Sequence, residues 1–286
     1  MWRGAWIAAA LGLTLLGPAK DGNDGGGWVG KRVFTRYGTT LRIGSKVVDD
    51  EGRDRAQSAS GKDRRTFRVY RVEHVESPWL WLVSETQGAS GWVKAGDVIP
   101  CDQAIDHASA AIGTNPSSAT YVSRGLAWHA ARQYDRAIAD YNEAIRLNPW
   151  NEAAYQDRAN TLEAQGRYAE ALADYDAAIR LDPGFDLPYN SRAWTRATCP
   201  DPQYRDGKQA VADALRACQL SDWKEVDYLG TLAAASAEVG DFAAAVRWQA
   251  EALRLHRGAD DDRRGFAARL ELYKANKPYR TGPERK

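Results

Sequence analysis

The chain has 286 residues, 44% of them hydrophobic and 27% charged, with 39 Lys+Arg against 38 Asp+Glu and a formal net charge of +1. That length leaves room for two compact domains. The charge balance excludes binding driven by a field of one sign, so neither nucleic acid nor an anionic membrane is expected as the main partner.

The first residues read as an export signal. Met1-Trp2-Arg3 supplies a cationic start, residues 5–17 are apolar, and the small residues Gly17 and Ala19 suit cleavage. The expectation is a signal peptide over 1–19 and an exported, periplasmic or extracellular protein. The alternative is an uncleaved signal-anchor that tethers the chain. The apolar run is shorter than the roughly 18 residues needed to span a bilayer, so no stable membrane insertion is expected after cleavage. Residues 20–27 are a polar, Gly-rich linker.

Over 28–100 the pattern is β-type, with runs at 31–37, 39–48, 66–74, 79–83 and 91–98. Residues 49–65 are charged and without apolar periodicity, an exposed loop whose arginines are either simply solvated or meet acidic glycan or phosphate. The stretch Gly91-Trp92-Val93-Lys94-Ala95-Gly96-Asp97-Val98-Ile99-Pro100 resembles the last strands of bacterial SH3-like barrels. The resemblance implies a small barrel in which Tyr37, Tyr70, Trp79, Trp81 and Trp92 are candidates for an aromatic ligand groove. Alternation puts Trp79 and Trp81 on one face of a strand, and a barrel of this size has one core face, so a core role for at least one of them is expected.

From residue 104 the period becomes helical, and a self-similarity of about 34 residues appears. Tyr121, Tyr155 and Tyr189 are spaced by 34, and Gly125, Ala159 and Ala193 each follow by four, where two helices must come close. The segments AIADYNEAIRLNP and ALADYDAAIRLDP are near copies. In length and in its small, aromatic and terminal Pro positions the array resembles the tetratricopeptide-repeat family. The expected fold is therefore multi-domain: a small SH3-like β-barrel followed by an all-α right-handed superhelix. The array runs over 101–258 as a partial leading repeat plus four repeats, with an insert at 199–207, and 259–286 form a capping helix and a polar tail from Lys277. The elements ATCPD, RDG, GDF and RLELYKANKPYR also resemble a C-terminal module of exported bacterial repeat proteins.

Arg124, Arg158 and Arg192 recur at one repeat position, and Asp140, Asp174 and Asp213 recur on the second helices. A ladder of ion pairs between adjacent helices, setting the register of stacking from repeat to repeat, is the expected role. The family resemblance implies a concave groove lined by first helices, and places Val122, Leu126, His129, Gln156, Asn160, Glu163, Asn190 and Trp194 on it. The asparagines suit an extended backbone and Trp194 is a rigid apolar anchor, unless it packs against the insert. The groove carries no lysine, so the clamp used by relatives that hold a terminal carboxylate is not reproduced.

No catalytic residue is identified. His74, His107, His129 and His256 are scattered, no His-x-x-x-His or Cys-x-x-Cys is present, and Ser60-Gly61-Lys62-Asp63 lacks the rest of a phosphate loop. No metal or cofactor is expected. Three cysteines are too few for a disulfide framework. Cys199 and Cys218 fall at opposite ends of an antiparallel pair, roughly 15 Å apart, too far for a disulfide unless the insert folds back. The sequence thus points to a non-enzymatic scaffold that binds a protein or peptide partner. The rival is an envelope-glycan-binding protein that uses the barrel, with the repeats as spacer. An accessory subunit of a hydrolase is a third reading.

Overall fold

The computed structural model describes residues 31–35, 40–43, 46–49, 69–76, 79–84, 91–95, 98–256 and 260–282. The signal and linker, Tyr37 and the loop at 49–65 lie outside these residues, apart from Asp49. The chain divides into two compact units, residues 1–147 with 257–259, and residues 148–256 with 260–286.

The first unit opens with strands β1 (Arg32–Thr35), β2 (Thr40–Ile43), β3 (Lys46–Asp49), β4 (Val69–Glu76), β5 (Trp79–Ser84), β6 (Gly91–Lys94) and β7 (Val98–Pro100). They form one sheet in the order β3-β2-β6-β5-β4-β1-β7, with every neighbouring pair antiparallel. The run read as one segment at 39–48 is two short antiparallel strands, β2 and β3. Val33, Val72, Leu80, Leu82, Val93 and Val98 form the sheet's core face. Leu80 and Leu82 take that face on β5, and period-2 alternation therefore assigns Trp79 to the opposite one. Trp79 is half-buried, with the Lys94 ammonium 5.7 Å from its ring, and the side chain of Trp81 lies outside the described ones.

Pro100 is the N-cap of α1 (Cys101–Thr114), which is followed by α2 (Ser118–Ala130) and α3 (Tyr134–Leu147). Cys101 packs with Ala104, Ala127 and Ala130 in a small apolar cluster, and the Arg32 guanidinium donates to Ala130 O at 3.2 Å. Ser117 and Thr120 form a capping box that starts α2.

The second unit holds α4 (Glu152–Ala164), α5 (Tyr168–Leu181), α6 (Asp186–Thr198), a 3-10 turn at Pro202–Tyr204, α7 (Gly207–Leu220), α8 (Val226–Glu238), α9 (Phe242–Leu255) and α10 (Asp260–Lys274). Its core runs through Ala193, Ala197, Ala210, Ala214, Leu229, Leu232, Ala245 and Phe266. Small residues dominate because helix axes approach closely there. Residues 228–237 of α8 are all buried, so this helix is enclosed on every side.

Candidate functional site

Three of the repeats are each locked by one side-chain assembly. Arg124 lies 5.6 Å from the Tyr121 ring and donates through Nε and Nη2 to both oxygens of Asp140, each at 2.7 Å. Arg158 does the same between Tyr155 and Asp174, and Arg192 between Tyr189 and Asp213. The planar fork of arginine matches a carboxylate in two bonds and stacks its face on an aromatic ring, which a lysine does not do. The recurrent tyrosine is thereby explained. The ladder expected between repeats is corrected in one respect: each pair joins the two helices of a single repeat. Arg192 also reaches the preceding repeat, donating to Asp176 on α5, and Arg124 Nη1 reaches back to Ser109 Oγ on α1 at 3.4 Å.

Successive first helices are joined by a second network. Gln156 Nε2 donates to Ser191 Oγ on α6 and to Asn160 Oδ1, both at 3.1 Å. Glu163 Oε2 accepts from Thr195 Oγ1 on α6 and from Tyr175 Oη on α5, each at 2.9 Å. Burial raises the Glu163 carboxyl above the usual carboxylate range, and the Tyr175 and Thr195 hydroxyls pull against that shift. The same burial and the neighbouring Glu163 push the Tyr175 hydroxyl well up. Two of the candidate groove residues, Gln156 and Glu163, therefore join repeats to one another. Asn160 remains exposed, whereas Val122 and Gln156 are buried, a correction to their place on an open groove. Leu126, His129 and Asn190 are half-buried, and the His129 ring rests 5.4 Å from that of Tyr134.

Trp194 is covered, and not by the insert. The Tyr279 ring lies 5.7 Å away, and the Arg269 guanidinium on α10 lies 5.7 Å from the Trp194 ring and 5.8 Å from the Tyr279 ring. The segment expected to be a polar tail has folded back. Asn276 takes a left-handed φ of 55° and Lys277 N–H donates to Leu272 O, which closes α10 and turns the chain before Pro278. Beyond the turn, Arg280 Nη1 donates to Ala197 O at 3.2 Å and Arg280 Nη2 meets Glu238 Oε2 at 2.5 Å. Thr281 gives both its N–H, at 3.0 Å, and its hydroxyl, at 3.1 Å, to Thr198 O. Helix α10 reaches further than a cap would, since a methyl group built on Gly230 of α8 would meet the Phe266 ring at 3.0 Å.

The insert supplies the other side of this clasp. Arg205 donates to the carbonyls of Cys199 and Pro200 and pairs with Glu238 Oε1 at 3.0 Å. Glu238 thus holds two arginines, one from the insert and one from the tail. Cys199 and Cys218 are buried free thiols, and burial pushes the Cys218 thiol up to about 12. Among the described residues no group of three His, Cys, Asp or Glu side chains is arranged to hold a metal ion.

Two tetratricopeptide-repeat family models match, over residues 101–152 and 153–185. The chain carries tetratricopeptide repeats. Solved structures of the repeat fold agree. A thermophilic tetratricopeptide-repeat protein of Thermus thermophilus is 18% identical with a TM-score of 0.51, over 60% of this chain and 91% of that one. A tetratricopeptide-repeat protein of Parabacteroides merdae is 17% identical with a TM-score of 0.51, over 62% of this chain and 68% of that one. The APC/C hetero-tetramer Cut9-Hcn1 gives 16% identity and a TM-score of 0.53, over 61% of this chain and 33% of that one, so the match spans about a third of that chain's length. At such identity the likeness is one of fold. No curated protein matches the chain in sequence. Neither Glu238 nor Tyr279 sits at a recurrent repeat position, so nothing in the sequence marks the tail clasp.

Proposed function

We propose that this protein is a non-catalytic scaffold that binds extended protein segments along its row of first helices. One observation carries the reading: a non-helical segment, residues 279–281, already docks at the C-terminal ends of first helices α6 and α8, bonded through its backbone and side chains. Direct bonds from Gln156 and Glu163 on α4 to Ser191 and Thr195 on α6 support it further, because they hold neighbouring first helices side by side before any ligand arrives. The antiparallel sheet and its Gly-Trp-Val-Lys close support reading 28–100 as an SH3-like domain, and the signal-like residues 1–19 support export from the cytoplasm.

The test is capture of partners from native cells by cross-linking, comparing the intact chain with an Asn160→Ala/Asn190→Ala variant. Loss of specific partners at unchanged helical circular dichroism is the expected result. Partners retained in full by the variant would move recognition off this face. The half-buried Trp79 and Trp92 on the face opposite the sheet core favour a second reading, in which the sheet takes envelope glycan. Sedimentation of the intact chain with insoluble envelope polysaccharide, lost on Trp92→Ala, would support that reading.

A further inference from the structure

We propose that the clasp at the ends of α6 and α8 is a binding site for a peptide series of aromatic, guanidinium and hydroxyl residues, filled in the resting chain by its own Tyr279-Arg280-Thr281 and opened when a partner segment of the same chemistry displaces it. This rests on the reading that the first-helix face takes extended segments, and adds which chemistry it selects and what holds it closed.

Each of the three residues meets a group suited to it. Tyr279 lies against Trp194 with the Arg269 guanidinium near both rings, a pocket for one flat side chain. Arg280 finds a carboxylate, Glu238, and a carbonyl at the end of α6, Ala197 O. That helix end carries unpaired carbonyls and partial negative charge, which favours a cation and N–H donors. Thr281 supplies those donors to Thr198 O through its backbone and its hydroxyl. Acidic residues at the second or third place are therefore excluded from the site.

The segment is attached in a way that allows release. Tyr273, the last core residue of α10, is fully buried, whereas residues 274–277 are all exposed. Residues 278–281 are each half-buried, so the strap lifts from the surface without α10 leaving the core. Its short tether gives the tail an effective concentration on the order of millimolar, which a free segment must exceed or outbind. Glu238 also holds Arg205 of the insert. The extra residues in the third repeat therefore fix the carboxylate that receives Arg280, a role for an insertion that the repeat itself does not need.

The experiment measures binding of a fluorescein-labelled peptide of sequence KPYRTG, residues 277–282, by anisotropy. The full chain carrying Tyr279→Ala/Arg280→Ala is compared with the unchanged full chain. The proposal predicts at least tenfold tighter binding to the double variant, and at least tenfold loss when Glu238→Gln is added to it. Equal binding by the two chains, or none by a double variant of unchanged helical circular dichroism, overturns it. Unfolding of the double variant also counts against it, since the tail would then be part of the fold. An independent check on the unchanged chain is hydrogen exchange at Thr281, which must speed up at least tenfold with millimolar peptide; an unchanged rate contradicts displacement. Failure here with partner capture still dependent on Asn160 and Asn190 refutes the tail's role and leaves the binding face in place.

Discussion

Gly125 is the residue with least room to change. A methyl group there would lie 2.6 Å from Cε1 of the fully buried Tyr141 ring, inside contact distance. Gly125→Ala is expected to cost about 1–3 kcal/mol in urea denaturation, because a packed interior yields little. In the Arg158–Asp174 pair both side chains are largely buried, at 21% and 10% exposure. Asp174→Ala strands the guanidinium and should cost about 2–4 kcal/mol, while Arg158→Met with Asp174→Leu should lose far less. A double-mutant cycle of unfolding free energies checks both. Asp157 is half-buried, and burial pushes its carboxyl up to about 7. A carboxyl raised in the folded state favours folding fully at low pH, and that contribution is lost as pH rises through 7. Asp157→Asn should therefore stabilise the chain more at pH 8 than at pH 5, by about 1–2 kcal/mol once partial solvent screening is allowed for. A gain independent of pH would show that the shift is absent. The recurrence of the arginines every 34 positions, and of the aspartates after 34 and then 39, made the ion-pair partners legible in the sequence. It did not reveal that each pair stays within one repeat, since spacing fixes which residues recur and not which helix each one faces.

Helix ends decide how one element hands on to the next. Gly166 ends α4 with a φ of 76° and Arg167 N–H donates to Leu162 O; Gly240 ends α8 with a φ of 84° and Asp241 N–H donates to Ser236 O. An L side chain resists that conformation, so Gly166→Ala should cost about 1 kcal/mol although the space beside it is open. Thermal unfolding measures the loss, and an unchanged midpoint would contradict it. The helices themselves were readable from periodicity and the 34-residue recurrence. The strands were harder: Gly44-Ser45 is a two-residue hairpin signal, and reading 39–48 as one run missed that it separates β2 from β3. The tail was misread for a physical reason. Residues 277–282 hold two cations, a proline and one aromatic, a composition typical of solvated ends, and only the tertiary placement of Glu238, Trp194 and the α6 carbonyls makes them a docked segment.

At the scale of the molecule, an antiparallel sheet precedes ten helices among the described residues, built from units that bury their faces only against neighbours. Such a fold presents an extended surface to a partner. The candidate residues divide along that line: Gln156 and Glu163 spend their polar groups holding repeats together, Trp194 is taken by the chain's own tail, and Asn160 stays exposed to a ligand. The most direct measurement is site-specific photo-crosslinking in native cells, with the reactive side chain placed at position 160 on first helix α4 or at position 173, also exposed, on second helix α5. The account predicts discrete protein adducts from 160 and none from 173. Adducts from 173 alone, or indistinguishable sets from the two positions, would contradict recognition by the first-helix face.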